Sequence, residues 1–547
     1  MNWNQYPRPT LQRESFLCLN GPWDFDVCNE GDKPQYNQTI QVPFCPESKL
    51  SGTGEVYREE QVLWYQRHFT LPEGFRKSRV LLHFGAVDQI ARVYVNGRVV
   101  GTHEGGYLPF TFDVTDFLQG ENVLTVEVRD HLSKKILPYG KQTRKRGGMW
   151  YTPVSGIWQT VWMESVPEVY IQGIRVKNGA DWVEISVSGA TEGVVEIQSM
   201  VPVELENGSC RIPIPNPRNW SPEDPYLYHF TVQTGKDRVQ SYFALRTLEI
   251  KDVDGYPRIC LNGKPYFFHG LLDQGYWQDG IFTPNSPTAY EQDILFAKKL
   301  GFNMLRKHIK IEPQLFYYAC DRLGMVVFQD MVNNGAYSFL RDTVLPTVGL
   351  KWLPDRWLHR NKRSRAAFEQ AMVETVETLY HHPCICYWTI FNEGWGQFCG
   401  TAMYKRLKTL DDSRVIDTAS GWFSGVDSDV DSRHVYFRKV RLKAGKKPLV
   451  LSEFGGYSYQ VEGHVFNPKK EYGYGKCTSR EEFVQALRKV YLEEVAPLIE
   501  KGLCAAVYTQ ISDVEDEVNG LITYDRQVEK VKPEELADLR LTLGGLS

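Results

Sequence analysis

A chain of 547 residues is long enough for three or four domains, or for fewer if one of them is a large barrel. This length excludes a minimal binding module, and the composition, 42% hydrophobic and 24% charged, is typical of globular proteins and excludes a disordered chain and a fibrous repeat. The net charge of −4, from 63 basic and 67 acidic residues, leaves no cationic excess for a nucleic-acid backbone, so we predict no nucleic-acid partner.

The N-terminus and the cysteines indicate the compartment. Residues 1–8 lack the basic start and the apolar run of a signal peptide, and no apolar run of about 18 residues occurs in the chain. The 11 cysteines are odd in number and scattered, which favours reduced thiols over a disulfide scaffold. We expect a soluble, unexported, cytoplasmic protein with no membrane partner.

Residues 1–166 are predicted to form an antiparallel β-sandwich of the jelly-roll type. Short alternating or β-branched runs, such as 80–84, 91–95 and 122–128, are separated by turn residues about every ten positions. Asn96-Gly97 is the preferred pair for a two-residue hairpin turn, because both central positions there need positive φ.

Residues 167–254 form a second β-rich segment, with strand-like runs at 183–187 and 228–232. Its length and its proline-rich middle, 212–217, favour a small immunoglobulin-like sandwich with an edge connection. We interpret this domain as a spacer.

Residues 255–547 change pattern, because strand-like runs now alternate with helical segments such as 290–300 and 313–323. Repeated β-then-α units over this length predict a closed (β/α)8 (TIM) barrel, whose chemistry belongs at the carboxyl ends of its strands. The predicted barrel strands are 265–270, 303–305, 325–328, 385–391, 415–417, 435–437, 449–452 and 503–508.

His381, His382, Cys384 and Cys386 are close enough in sequence to raise the question of a metal site. Pro383 interrupts them, and a strand-like apolar run follows. We therefore favour core cysteines at the start of a strand over metal ligation.

Two glutamates occupy the ends of predicted barrel strands. Glu393 follows the apolar run 385–391 and Asn392, and Glu453 follows residues 448–452. A lone Glu in this place is usually a solvated loop residue, but two in the same context favour a functional pair. Paired carboxyls suit hydrolysis of an acetal, because one group must donate a proton while the other is ionised.

The motifs around these glutamates resemble those of a known family. Residues 391–395 (Phe-Asn-Glu-Gly-Trp) resemble the Asn-Glu acid/base signature of glycosidases with (β/α)8 barrels, and 451–455 (Leu-Ser-Glu-Phe-Gly) resemble their nucleophile strand. Further segments look like the sugar-binding sandwich and the barrel entry of glycoside hydrolase family 2: 19–23, 64–67, 95–97, 155–158 and 262–265. The resemblance covers nearly the whole chain in the order of that family's domains.

This resemblance implies a retaining exo-β-glycosidase whose N-terminal jelly roll is the sugar-binding sandwich. Glu393 would be the acid/base at the end of strand 4 and Glu453 the nucleophile at the end of strand 7. Asn392 would hydrogen-bond the sugar 2-OH, with a turn cap as the alternative. We expect no cofactor and no metal ion. We also expect a homo-oligomer, and we expect none of the extra C-terminal sandwiches of larger relatives.

Other strand ends supply further candidates for substrate binding, with barrel packing or a loop salt bridge as the alternative for each. Lys307 stands where family members usually carry the Ser of a Ser-His pair, which leaves the geometry around His308 open. Trp395 and Trp422 are the candidates for stacking on a sugar face, because each lies beside a glycine in a strand-end loop. The remaining candidates at strand ends are Asp273, His308, Tyr436 and Tyr508.

The loops leave the sugar open. In β-glucuronidases an Asn-x-Lys motif after strand 8 grips the sugar carboxylate, whereas the matching stretch here, 514–520, is acidic and has no Lys. Asn467 and Lys469 after strand 7, with Arg341, keep a carboxylate clamp from other loops possible. The sandwich loop 147–151 lacks the Asp that galactosidases and glucuronidases of the family use, so Trp150 or Tyr151 is a candidate in its place.

We predict an enzyme that removes a terminal β-linked hexose, with galacto configuration favoured, from small glycosides or oligosaccharides. A β-hexuronidase acting on galacturonides or glucuronides is the close alternative. An alternative of another class is a non-catalytic carbohydrate-binding protein on the same scaffold.

Overall fold

The computed structural model describes residues 3–345 and 354–539. They form a jelly-roll sandwich, an immunoglobulin-like sandwich and an eight-stranded parallel barrel, in that order along the chain. The predicted fold class is confirmed, and for this architecture we propose domain boundaries at 1–166, 167–254 and 255–547.

The first sandwich pairs a six-stranded sheet with a four-stranded sheet. Alternate residues of the six-stranded sheet, such as Val93, Val95, Leu124 and Val126, are fully buried between the sheets. In spatial order its strands are Gln38–Val42, Gly21–Asn29, Gln61–Phe69, Asn122–Arg129, Ile90–Val95 and Arg98–Glu104. The facing sheet contains Leu17–Cys18, Val161–Val166, Arg79–Phe84 and Phe110–Asp113, and a two-stranded ribbon pairs Gly156–Ile157 with Val87–Asp88.

The predicted hairpin turn after residue 95 is confirmed. Asn96 and Gly97 have φ of 52° and 77°, and Val95 pairs with Arg98 across them. Short single turns of helix occur in the same domain at Lys49–Ser51, Thr115–Phe117 and Leu132–Lys134.

The second sandwich has a core of its own, to which the N-terminal segment contributes Leu11. One sheet contains Gly173–Asn178, Trp182–Ser188 and Ser209–Pro213, and the other contains Val203–Glu204, Val194–Ile197, Tyr228–Thr234 and Asp237–Phe243. A three-stranded ribbon, Leu248–Val253, Tyr256–Leu261 and Lys264–Pro265, then leads into the barrel.

The barrel strands are numbered 1 to 8 along the chain and lie in the spatial order 5-4-3-2-1-8-7-6. Strands 5 and 6 are neighbours at the two ends of this order, so the barrel is nearly closed. The strands are Phe268–Asp273, Met304–Lys307, Val326–Asp330, Ile385–Asn392, Val415–Ser420, Asp431–Val435, Leu449–Phe454 and Leu503–Tyr508. A small ribbon, Tyr457–Ser458 with Gly475–Lys476, lies beyond strand 7.

Helices surround the barrel. The α-helices among the described residues are Thr288–Lys299, Gln314–Leu323, Lys362–Leu379, Gly400–Leu410, Arg480–Lys489 and Ala496–Ile499. Wider π-helical turns occur at Phe339–Val344 and Val490–Val495, and 3-10 turns at Asp355–Trp357 and Pro533–Leu536. Among the helices described, none combines the length and the apolar character that spanning a bilayer requires.

Two predicted strand positions are wrong. Strand 1 begins at Phe268 because residues 264–265 belong to the preceding ribbon. Strand 6 is Asp431–Val435 instead of 435–437. Its buried positions include Ser432 and His434, whose side chains bond polar groups of neighbouring strands, so no apolar run marks the strand.

The cluster at residues 381–386 belongs to the core. His382 Nδ1 lies 2.8 Å from Oδ2 of Asp321, and the backbone N–H of Cys384 donates to Oδ1 of the same carboxylate. Cys384 and Cys386 are buried free thiols. These contacts support the interpretation of core cysteines at the start of a strand.

Candidate active site

Two glutamates lie close together at the carboxyl ends of the barrel strands. Glu393 directly follows strand 4, and Glu453 lies in strand 7. His434 on strand 6 lies between them, with Nδ1 2.9 Å from Oε1 of Glu393 and 3.6 Å from Oε2 of Glu453. One ligand atom from each of the three residues lies within 4.8 Å of the others. Two carboxyls this close fit the separation of about 5 to 5.5 Å found in retaining glycosidases.

Glu393, His434 and Glu453 are also residue types that bind divalent cations. Here a direct hydrogen bond of 2.9 Å already joins His434 to Glu393, so the three side chains are held together by protein contacts. We interpret them as two carboxyl groups with a histidine between them, and the absence of a metal requirement stays a prediction.

Glu453 is held by two donors from other strands. Nη1 of Arg306 lies 3.0 Å from Oε1, and the hydroxyl of Tyr436 donates to Oε2 at 2.7 Å. Burial raises the pKa of Glu453, but the positive charges of His434, Arg306 and His308, with the Tyr436 hydrogen bond, outweigh it and hold this pKa at about 2. Glu453 is therefore ionised throughout the neutral range, as a nucleophile must be.

Arg306, on strand 2, connects four strands at the base of the site. Its Nε donates to Oδ1 of Asp330 at 3.0 Å, Nη2 to Oδ1 of Asn392 at 2.8 Å, and Nη1 to the carbonyl of Ser452 at 3.0 Å. Its side chain is 1% exposed. Sequence analysis missed this residue, although a charged side chain inside a buried strand was the available signal.

Asn392 and His308 present polar atoms beside the carboxyl pair. Because Oδ1 of Asn392 accepts from Arg306, its amide NH2 is oriented as a donor for a ligand. His308 Nδ1 lies 2.7 Å from Oδ2 of Asp330, which fixes the ring. Burial lowers the pKa of His308. Both residues were predicted to bind substrate, and both lie in the network around Arg306.

Aromatic residues from two domains meet beside the acid/base candidate. The ring of Trp150, from the sandwich loop, lies 4.7 Å from that of Trp395, and Tyr337 lies 5.8 Å from Trp395. Tyr139, also from the sandwich, lies 5.6 Å from Trp395 on another side. Trp395 is thus buried by packing, and the sandwich loop reaches the mouth of the barrel at Trp150.

Three models of one known protein family match consecutive segments of this chain. The models described as "Glycosyl hydrolases family 2, sugar binding domain", "Glycosyl hydrolases family 2" and "Glycosyl hydrolases family 2, TIM barrel domain" match residues 11–167, 173–246 and 250–534. The chain belongs to glycoside hydrolase family 2. The resemblance found in the sequence motifs is confirmed.

Curated relatives from this family carry different names. A "Beta-galactosidase" from Thermoanaerobacter pseudethanolicus is 28% identical over 343 residues, which cover 56% of this chain and 44% of that protein. A "Putative beta-glucuronidase" from Formosa agariphila is 25% identical over 487 residues, which cover 77% of this chain and 54% of that protein. The chain spans about half the length of these relatives.

Solved structures of other proteins share the fold over almost the full length of this chain. A β-galacturonidase from Eisenbergiella tayi bound to galacturonate is 21% identical, has a TM-score of 0.73, and covers 98% of this chain and 100% of its own. A β-D-glucuronidase from Dictyoglomus thermophilum is 18% identical with a TM-score of 0.76 and covers 98% of both chains. These likenesses show the fold.

Lys307 forms buried ion pairs with Asp273 and Glu312. Its ammonium lies 2.6 Å from Oδ2 of Asp273 and 3.0 Å from Oε1 of Glu312, and all three side chains are buried. Oδ1 of Asp273 accepts from the N–H of Gly275. The structure therefore commits Asp273 to an internal ion pair, and among the described residues it has no hydrogen bond with the carboxyl pair.

The remaining aromatic candidates separate into two groups. Tyr436 contacts Glu453, and the Trp422 ring lies 6.0 Å from that of His434, so both belong to the site. Tyr508 is fully buried, and its ring centroid lies 5.7 Å from that of Phe454 and 6.3 Å from that of Tyr491 in the π-helical turn Val490–Val495. The structure places Tyr508 between strand and helix, away from the carboxyl pair.

The predicted carboxylate clamp is not assembled at the carboxyl pair. The Arg341 guanidinium is engaged by Asp342, with Nε 2.6 Å from Oδ1 and Nη2 2.8 Å from Oδ2. Nδ2 of Asn467 donates to Asp516 at 3.2 Å, and the side chain of Lys469 is exposed. Arg341 lies in the π-helical turn Phe339–Val344, and Asn467 and Lys469 lie in the segment that follows strand 7.

Glu517, in the loop after strand 8, is a third carboxyl at the site. It accepts hydrogen bonds from the Tyr151 hydroxyl and from Nδ2 of Asn519. Burial raises the pKa of Glu517, Lys141 lowers it and the nearby charge of Glu453 raises it. Sequence analysis noted that the segment is acidic but did not identify Glu517, because sequence does not show which acid of several points inward.

Proposed function

We propose that this protein is a retaining exo-β-glycosidase that acts by double displacement. The observation that carries the proposal is the Glu393–Glu453 pair, which lies within reach of one imidazole and sits at the strand positions that family 2 uses. The Tyr151 hydroxyl of the sandwich loop donates to Glu517 in the loop after strand 8, and a barrel end partly covered in this way supports removal of terminal sugars.

In the first step Glu393 donates its proton to the glycosidic oxygen while Oε of Glu453 attacks C1. The C1–oxygen bond breaks, the aglycone leaves as an alcohol, and a glycosyl ester forms on Glu453. In the second step Glu393 takes a proton from water, and the water oxygen attacks C1. The ester bond breaks, Glu453 regains its charge, and the sugar leaves with its original anomeric configuration.

Arg306 is a positioning residue in this mechanism. One guanidinium orients the nucleophile Glu453 and, through Nη2, the amide of Asn392. The amide then donates to the sugar 2-OH, a contact that strengthens as positive charge develops at the anomeric carbon. Preorganised donors of this kind lower the barrier because no reorientation is needed during reaction.

For the sugar we propose a neutral hexose, with galacto configuration favoured. Glu517 and Asn519 stand in the loop where β-glucuronidases of the family carry their Asn-x-Lys motif. A carboxylate there suits hydroxyl groups and disfavours a second negative charge. The relative named β-galactosidase supports this choice.

A β-hexuronide is the second candidate, and one observation favours it. Burial lowers the pKa of His308 and raises that of Glu517, and the charge of Lys141, from the sandwich, lowers both, which supports a cation near these two side chains. A uronate carboxylate would pair with that ammonium. Relatives and structures named β-glucuronidase and β-galacturonidase agree with this candidate.

The test is hydrolysis of nitrophenyl β-galactoside, β-galacturonide, β-glucuronide, β-glucoside and β-mannoside, with Glu393→Gln and Glu453→Gln as variants. We expect one glycone to be preferred and each variant to lose activity by at least about a thousandfold. Activity on a uronide alone would overturn the neutral hexose. Hydrolysis that persists in both variants would overturn the mechanism, and sugar binding without any hydrolysis would favour the non-catalytic protein.

Two further features of the protein are proposals of the same standing. We expect a homo-oligomer, which sedimentation velocity at micromolar concentration tests directly. We also expect a cytoplasmic location, which fractionation of the source cells tests.

A further inference from the structure

Phe437 is an exposed aromatic residue just beyond strand 6. It directly follows Tyr436, whose hydroxyl donates to Glu453 at 2.7 Å. Its side chain is 81% exposed, and its φ of 56° lies in the left-handed region that bulky residues rarely adopt. An aromatic ring kept in solvent in an unusual backbone conformation beside an active site is a reason to look for a ligand.

Three rings form a continuous wall from the nucleophile to the solvent. The Tyr474 ring stacks on the Tyr436 ring, with centroids 3.7 Å apart and an interplanar angle of 15°. The Phe437 ring lies 5.3 Å from the Tyr474 ring at 63°. The N–H of Tyr474 donates to the carbonyl of Gly456 at 2.7 Å, which fixes this wall to the end of strand 7.

The wall runs from the buried nucleophile toward the solvent, which is the direction in which a leaving group departs. The side chain of Glu453 is 6% exposed and its partner Arg306 is 1% exposed, so the sugar ring must occupy the inner part of the pocket. The side chain of Glu393, which protonates the leaving oxygen in the proposed mechanism, is 26% exposed and thus faces the mouth. The exposed fraction of the side chains thus rises from the nucleophile outward, and Phe437, at 81%, has the highest of these values.

We propose that Phe437, supported by Tyr474, forms an aglycone subsite that binds a flat apolar face, either an aromatic ring or the apolar face of a second sugar. This inference rests on the proposed glycosidase activity and adds to it the chemical class of the leaving group. Aromatic rings bind such faces by offset or edge-to-face contact, at a gain that corresponds to a roughly two- to tenfold effect on affinity.

The experiment compares Phe437→Asn with the unmodified enzyme, because Asn tolerates left-handed φ and leaves the backbone unstrained. The substrates share the glycone selected by the panel and differ in the aglycone: phenyl, glucose in a β-linked disaccharide, and methyl. Tyr226→Asn, at an exposed aromatic of the second sandwich, is the matched control.

We expect kcat/KM for the phenyl glycoside, the disaccharide or both to fall about three- to tenfold in Phe437→Asn, with the methyl glycoside changed less than twofold. A loss confined to one of the two larger substrates identifies which flat face the subsite takes. Equal changes for all three aglycones, or no change, would overturn the subsite.

A second measurement isolates the aglycone from the sugar. A glycosyl-enzyme trapped with a 2-deoxy-2-fluoro glycoside should be reactivated more slowly by benzyl alcohol in Phe437→Asn, while reactivation by water is unchanged. Faster or equal reactivation by benzyl alcohol contradicts the proposal. Hydrolysis by the unmodified enzyme reports separately on the proposed function, and its complete absence would overturn both.

Discussion

Nδ1 of His434 lies 2.9 Å from Oε1 of Glu393, so the acid/base candidate is tied to the strand that stands between it and the nucleophile. The other ring nitrogen lies 2.9 Å from the hydroxyl of Ser420, which fixes the imidazole from behind. One side chain therefore sets the position of Glu393 and the electrostatic environment of Glu453 at the same time. This dual contact makes His434 the most informative residue to substitute.

His434→Phe should shift the acid limb of the pH profile upward. Burial raises the pKa of Glu453, and His434 is the first of the charges that lower it to about 2. Removing that charge must raise this pKa toward the ordinary value of about 4.3, so the nucleophile becomes protonated at higher pH. The check is kcat/KM between pH 3 and 6 on a dinitrophenyl glycoside, whose leaving group needs no proton.

His464→Phe is the control for that shift, because His464 pairs with Asp525 at 2.7 Å and makes no contact with the carboxyl pair. Its acid limb should coincide with that of the unmodified enzyme. An unmoved limb in His434→Phe would contradict the electrostatic role given to this imidazole.

Tyr436→Phe should lower kcat/KM by about 10- to 100-fold. The substitution removes a 2.7 Å hydrogen bond to the ionised nucleophile, and bonds to charged groups contribute about 1.5 to 3 kcal/mol. Tyr508→Phe is the matched variant, since the buried Tyr508 ring packs against Phe454 and Tyr491. Steady-state kinetics should show no loss of kcat/KM for Tyr508→Phe. Similar losses in both variants would mean that Tyr508 contributes to substrate binding after all.

The glutamate pair could be predicted from sequence because each member follows a continuous apolar strand, whereas the residues that support it could not. Every residue of strand 8 is buried, so no alternation tells which side chains face the barrel interior, and Tyr508 faces the helices. In strand 6 the inward residues are polar, so the strand itself was misplaced. Hydrophobic periodicity reports burial, and a parallel barrel buries both faces.

Contacts between distant segments were likewise invisible in the sequence. Arg306 and Asn392 are 86 positions apart, and only the barrel order places strands 2, 3, 4 and 7 around one guanidinium. The position of Glu517 depends on a hydrogen bond to Tyr151 in another domain. Sequence predicted the fold and the chemistry, and the tertiary structure supplied the network that orients them.

Asn392→Ala should impair hydrolysis of a substrate that has a 2-OH group more than hydrolysis of its 2-deoxy analogue. The amide that Arg306 orients through a 2.8 Å bond would donate to the 2-OH, and this contact gains strength in the transition state. We expect kcat/KM to fall about 30- to 100-fold on the normal glycoside and less than about threefold on its 2-deoxy analogue. Equal losses on both substrates would show that Asn392 acts elsewhere.

Glu47→Gln should stabilise the first sandwich at neutral pH. Burial raises the pKa of Glu47 to about 8, while the same group in the unfolded chain ionises near 4.3. As the pH rises between these values only the unfolded chain loses the proton, so stability falls, with a cost on the order of 3 kcal/mol at pH 7. Thermal unfolding should give the variant a higher Tm at pH 7 and an equal Tm at pH 4, and a gap independent of pH would contradict the assignment.

Glu517→Gln should increase the relative use of uronides. With Glu517 ionised, a sugar carboxylate at the strand 8 end of the pocket meets a like charge, which costs binding free energy. The variant should raise the ratio of kcat/KM on a galacturonide to that on a galactoside by about tenfold. Burial raises the pKa of Glu517, so the same ratio in the unmodified enzyme should rise as the pH falls and the group takes up its proton.

Glu515→Gln is the control. The carboxyl of Glu515 accepts from the N–H of Thr152 at 2.8 Å, and its replacement should leave the ratio unchanged. A ratio that falls in Glu517→Gln would mean that this end of the pocket does not hold the sugar's C6 group.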